Sequence, residues 1–192
     1  MGEKVESVNE FLDVLNENRE YTNSVASRDE CHKKGLWHKA VVVFIISNDN
    51  KRILLQQRSA NKKLWPNLWD TTAGGHVLSG ELGYQAVIRE TKEELDIDLS
   101  KNDLDFIGAT TSENIKGDII NRHFNYYFIA HIDIDLNNVT LQEEEVQNVK
   151  WFDKEDIIKR VNNNYEDLTE KVACWDYLIK YFEFSDNIIT KR

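Results

Sequence analysis

Between His38 and Ser47 the apolar run Ala40-Val41-Val42-Val43-Phe44-Ile45-Ile46 is unbroken and rich in β-branched residues. That pattern predicts a central strand buried on both faces. Asn48-Asp49-Asn50-Lys51 turns the chain into a second strand, Arg52 to Gln57. Upstream, Phe11 to Leu15 and Tyr21-Thr22 flank Asn16-Glu17-Asn18-Arg19, which reads as a small hairpin. Downstream, Phe106 to Thr111 and Phe124 to Ile134 read as strands around a polar loop at Glu113 to Asn121, and Val146 to Phe152 as another strand.

The pattern changes period in three places. Glu81 to Leu95 is helical: at 100° per residue, Tyr84, Ile88, Thr91 and Leu95 fall within an arc of about 60°, the face expected to pack on a sheet. Asp153 is placed to cap a helix running to about Arg160. A last helix is expected from about Glu166 to Phe182, striped by Leu168, Val172, Trp175, Ile179 and Phe182. Asn61 to His76, with its Trp and Gly residues and the single proline Pro66, reads as a loop. Strands lead and helices are interspersed without regular alternation. The expectation is an α/β fold, with a mixed sheet and helices on both faces.

Composition narrows the function. The chain has 192 residues and 41% hydrophobic residues, enough for one domain with additions. We expect a single domain over 1–192, with 1–30 as an N-terminal hairpin extension and 165–192 as a C-terminal helix. The net charge of −10 argues against non-specific binding to nucleic acid or an anionic membrane. A phosphorylated substrate would therefore need a metal ion or well-placed Lys and Arg. No apolar run approaches a transmembrane length, and the polar Met1 to Glu10 does not read as a secretory signal, so the cytoplasm is the expected location. Cys31 and Cys174 form no C-x-x-C pair. Cys174 falls on an apolar helix stripe and is expected in the core, whereas Cys31 lies in a polar stretch that leaves its setting undecided. A homodimer is a further expectation, from the exposed aromatic content.

The second arc of the Glu81–Leu95 helix carries the chemistry. Glu90, Glu93 and Glu94 share about 100° of its surface. Their mutual repulsion costs roughly 0.2–0.5 kcal/mol per i,i+4 pair. An acidic solvated face is one reading, and a site for a hard cation with oxygen ligands, Mg²⁺ or Mn²⁺, is the other. Arg89 lies beside Glu93 in projection, and Thr72-Ala73-Gly74-Gly75 upstream reads as a flexible segment that brings backbone groups to a ligand.

Gly75, Glu81 and Arg89-Glu90-Thr91-Lys92-Glu93-Glu94 stand at the spacing of the Nudix box, G-x5-E-x7-R-E-U-x-E-E-x-G-U, and resemble it at every charged position. Thr91 replaces a bulky aliphatic residue and Asp96 the closing Gly. Asp is among the few residues that tolerate the positive φ expected there. The resemblance implies an α/β/α sandwich with a catalytic loop–helix–loop. It also implies metal-dependent cleavage of a nucleoside diphosphate linked to another moiety. Glu90, Glu93 and Glu94 would hold Mg²⁺ (or Mn²⁺), Gly75 would offer a carbonyl, and Glu81 and Arg89 would brace the turn. The general base would be Glu93 or a loop glutamate such as Glu145. Arg58, Lys63, His76 and Gly74 are the expected contacts to a small-molecule diphosphate.

A second resemblance covers roughly Phe11 to Phe152. His32, His38, Leu54-Leu55-Gln56-Gln57-Arg58-Ser59, Lys63-Leu64-Trp65-Pro66-Asn67-Leu68-Trp69 and Gly75-His76 resemble isopentenyl-diphosphate isomerase and its Nudix relatives. Those isomerases use a Cys before the Gly-His pair and bind metal through three His and two Glu. Here Gly74 stands in place of the Cys, and Asn121-Arg122-His123-Phe124 stands where the isomerases carry acidic residues. The expectation is an isomerase-like hydrolase. An isomerase and a non-catalytic nucleotide-binding module are the rivals. His32 and His38 flank a turn, and are either hydrogen-bonding residues or, with His76, ligands.

Overall fold

The computed structural model describes residues 10–164, 167–169 and 172–189. A two-stranded antiparallel hairpin, β1 (Phe11–Leu15) and β2 (Tyr21–Ser27), leads into the short helix α1 (Arg28–Lys34). Ser27 caps α1 through the Glu30 N–H, and Gly35 ends it at φ 64°. A seven-stranded mixed sheet follows: β3 (His38–Ile46), β4 (Arg52–Arg58), β5 (Trp69–Asp70), β6 (Ala73–His76), β7 (Leu104–Lys116), β8 (Ile119–His131) and β9 (Val146–Asp153). Helices α2 (Gly83–Leu95), α3 (Lys154–Asn162) and α4 (Val172–Ile189) complete the described elements, with two short 3₁₀ turns.

β3 is the axis of the sheet. One edge runs parallel to β8 along its whole length. The other edge is divided: Ala40–Val43 pair with β6, and Ile45-Ile46 pair with β4. The unbroken apolar run of β3 is explained by its two faces. Val42, Phe44 and Ile46 enter a core with Ile157 of α3 and Trp175, Leu178 and Phe182 of α4. Val41, Val43 and Ile45 enter a second core with Ala86, Val87 and Leu95 of α2. Helices thus cover both faces, as an α/β/α sandwich requires.

Four expectations need correction. The segment Asn61 to His76 is not all loop: Ala73–His76 is β6, hydrogen-bonded to β3, so Gly74 and Gly75 are held in a strand rather than in a flexible segment. The polar stretch Glu113 to Asn121 is no long loop either, because β7 and β8 stay paired to Lys116 and Ile119. There the ribbon has little core to cover, so polar residues satisfy it. The last helix begins at Val172, and Leu168 is buried from an extended bridge to Trp69; Glu166 lies outside the described residues. Cys31, whose setting the residue pattern left undecided, is fully buried on α1 beside Leu12 and Val14, and burial followed by Glu30 pushes its thiol up to about 11. Asp153 occupies the cap position of α3, but its side chain makes no capping bond.

Candidate active site

β6 and α2 pack directly on one another, and this contact builds the site. Between them the Glu81 carboxylate accepts the Leu78 N–H (2.9 Å) and fixes the turn into the helix. Arg89 ties the whole turn together. Its Nε and Nη2 donate to the two oxygens of Glu81 (3.0 Å each), Nη2 also to the His76 carbonyl (2.8 Å), and Nη1 to Glu90 (2.8 Å) and Glu93 (3.1 Å). At the far end of α2, Asp96 adopts φ 55°, the left-handed conformation expected of the residue that closes the box.

The three glutamates are not equivalent. Glu94 is buried; its Oε2 accepts the Gly74 N–H (3.3 Å) and Gln56 Nε2 (3.1 Å). Glu90 lies against Gly75 so closely that a Cβ at that position would overlap its carboxylate. Glu93 is 53% exposed. Burial, then the charges of Glu90 and Glu145, push Glu94 up to about 8. Burial likewise pushes Glu90 up to about 7 against the opposing pull of Arg89. Two carboxylates crowded in this way are poorly neutralised by the protein alone. A divalent cation is the kind of partner that such a set of oxygens fits.

These residues border a cavity of about 500 Å³. Of the expected substrate contacts, Arg58, Gly74 and His76 line it. Arg58 is engaged by buried Asp70 (3.1 Å) and the Leu64 carbonyl (3.1 Å), so its charge is largely spent on the fold. Lys63 is exposed and does not line the cavity; the neighbouring Lys62 does, paired with Glu145. The far wall carries Ser112, Asn114, Asn121, Asn125 and Tyr127.

Sequence reasoning missed two cavity residues. His123 lies on β8 directly beside His38 on β3. Together with His32 and His76 the two form a cluster whose potential ligand atoms all lie within 4.8 Å of one another. Glu10 lines the same region and approaches His76 Nδ1 at 3.1 Å. The available sign was a histidine at the head of each expected strand, His38 and His123, although β8 itself begins earlier, at Ile119. It acquires meaning only once β3 and β8 are known to be neighbours.

The NUDIX domain family model matches residues 36–172. The chain belongs to this family. It is 39% identical over 146 residues to an uncharacterised Nudix hydrolase of Listeria innocua, covering 76% of this chain and 81% of that one. It is 36% identical over 151 residues to Nudix hydrolase 3 of Arabidopsis thaliana, covering 77% of this chain but only 20% of that much longer protein. An isopentenyl-diphosphate Delta-isomerase of Cereibacter sphaeroides is 29% identical over 159 residues, covering 80% and 85%. Among solved structures, DR0079 of Deinococcus radiodurans superposes with a TM-score of 0.61 at 22% identity, over 80% of this chain and 90% of that one, a likeness of fold. The protein is thus a Nudix hydrolase with the α/β sandwich of its family, whose members act on nucleoside diphosphate derivatives and generally use divalent metals. Among the described residues no helix is long and apolar enough to cross a membrane.

Proposed function

We propose that this chain is a Mg²⁺-dependent (or Mn²⁺-dependent) pyrophosphohydrolase, cleaving a nucleoside diphosphate linked to another moiety by attack of water on phosphorus. One observation carries the reading: Glu90 and Glu94 are forced together beneath Gly74 and Gly75, with the charge of Arg89 shared among three carboxylates. Glu90, Glu93 and Glu94 are the metal ligands, with the Gly75 carbonyl as a further donor. A bound metal would supply neutralisation of the diphosphate and a lower pKa for attacking water. Arg89 and Glu81 position the glutamates. Lys62 and Arg58 line the cavity and turn cationic side chains toward phosphate oxygens. Glu93, half-exposed at the cavity edge beside Arg89, and Glu145, paired with Lys62, are the two candidates for the general base.

The isomerase rival has a relative in its favour, but position 74 opposes it. A Cβ there would lie 2.7 Å from the Val41 carbonyl oxygen, so the backbone excludes the side chain that a thiol acid/base requires. The test is a panel of nucleoside diphosphate derivatives, dinucleotide polyphosphates and nucleotide sugars with Mg²⁺ or Mn²⁺. A parallel incubation uses isopentenyl diphosphate. Metal-dependent release of two phosphate-bearing products is expected. Conversion of isopentenyl diphosphate to the dimethylallyl isomer would install the isomerase. No turnover on any substrate would install the binding module.

A further inference from the structure

The glutamates of α2 leave unexplained three histidines of the same cavity, His32, His76 and His123, and the fully buried His38 behind them. His32 comes from α1, His38 from the start of β3, His76 from the end of β6 and His123 from β8. Their ring centroids lie 4.6–6.1 Å apart, and their nearest potential ligand atoms all fall within 4.8 Å of one another. A tetrahedral centre with Zn–N bonds of ~2.05 Å needs nitrogens about 3.4 Å apart, a small contraction from this arrangement.

We propose that His32, His38, His76 and His123 form a four-nitrogen site for one zinc-class cation, distinct from the carboxylate site on α2. Two observations support it. First, His38 Nδ1 faces the Leu36 carbonyl at 2.8 Å, an acceptor only, so Nδ1 carries the proton and Nε2 offers its lone pair. His76 Nδ1 is likewise held by the Glu10 carboxylate at 3.1 Å. Outer hydrogen bonds to a carbonyl and a carboxylate are what fix the tautomer of metal-binding histidines. Second, His32 Nε2 and His38 Nε2 are buried with no hydrogen-bond partner. A buried imidazole nitrogen without a partner is costly unless something fills that role.

The donor set decides the metal class. Imidazole suits Zn²⁺ and its transition-metal neighbours, whereas Mg²⁺ demands oxygen ligands and kept waters. The isomerase pattern of three His and two Glu is not reproduced, because β8 supplies His123 in a region where those enzymes carry acid. Four protein donors leave no open position, which marks a structural rather than a catalytic zinc. Its role here is to fasten α1, and with it the N-terminal hairpin, to β3, β6 and β8 beside the active site.

The experiment is independent of turnover, so it stands or falls apart from the hydrolase reading. The full chain, stripped with chelator, is titrated with Co²⁺ in excess Mg²⁺ and then with Zn²⁺. The expected result is one equivalent of Co²⁺ with intense tetrahedral visible bands, insensitive to Mg²⁺ and displaced by one equivalent of Zn²⁺. The bands should be lost in His123→Ala and persist in Glu90→Gln/Glu93→Gln. Glu10→Gln, which keeps all four ligands, should weaken binding ~10–100-fold. Circular dichroism reports whether His123→Ala folds. If it does not, the wild-type spectrum and the Glu10 and glutamate variants decide. No tetrahedral spectrum in the wild-type chain, or bands that vanish with the glutamates, would overturn the proposal.

Discussion

Replacing Arg89 by Met tests the frame of the active site most directly. The guanidinium makes five hydrogen bonds to four residues and is only 24% exposed, while the Glu81 and Glu90 side chains are 14% and 13% exposed. Met keeps the aliphatic stem and removes the charge. Glu81 keeps one donor, the Leu78 N–H, but Glu90 loses its cation in a place where burial already raises its pKa. Removing one partner of a buried ion pair costs roughly 3–5 kcal/mol, and the partial exposure of Arg89 places this case near about 3 kcal/mol. For a domain of this size that corresponds to a fall in Tm of ~6–12 °C. The assay is thermal and urea unfolding in chelator, so that no cation stands in for the lost charge. Arg89→Lys should fall in between, since a single ammonium cannot span Glu81, Glu90 and the His76 carbonyl. A double-mutant cycle with Glu81→Gln should show a coupling of about 1–3 kcal/mol. If Arg89→Met loses less than ~1 kcal/mol and shows no coupling, the guanidinium does not hold the turn and the argument fails.

Three further outcomes are expected. Gly75→Ala, which drives a methyl into the Glu90 carboxylate, should destabilise by ~1–3 kcal/mol and cut turnover about 10²-fold; unfolding midpoints and kcat measure both, and unchanged turnover would remove Gly75 and Glu90 from the site. Glu93→Gln should lower turnover by at least ~10² with little change in Tm, because its side chain is exposed; near-wild-type rates would sink its assignment. The folded pKa values of Glu90 and Glu94, about 7 and about 8, lie above the ordinary 4.5, so their contribution is complete below pH 4.5 and is lost as pH rises through 7 to 8. Metal-free protein should therefore unfold at lower urea at about pH 8.5 than at about pH 6.5, and saturating Mg²⁺ should remove or reverse that slope; a flat metal-free profile would contradict it.

Much of this was legible from residue pattern, and what was not has a physical reason. The β3 run, the hairpin and the packing face of α2 could be read because apolar periodicity follows local geometry. The charged box could be read because its spacing is the geometry of one turn and one helix, and Asp96 because positive φ restricts residue choice. Strand β6 was hidden: glycines chosen for close approach to Glu90 look like a loop. The outer parts of β7 and β8 were hidden because a ribbon without a core to cover carries no alternation. Lys63 was favoured over Lys62 because a one-residue shift in side-chain direction leaves no trace in composition. His123 was passed over because its partners come from three other elements.

The outer parts of β7 and β8 give the molecule a division of labour. Their Ser112, Asn114 and Asn121 form one wall of the cavity, yet these residues belong to neither of the two large apolar cores. Substitutions on this ribbon can redraw the outline of an accepted molecule while β3 and the glutamates of α2 stay as they are. Recognition can drift there faster than chemistry, and exchanging the ribbon between relatives is a direct way to move selectivity without rebuilding the catalytic helix.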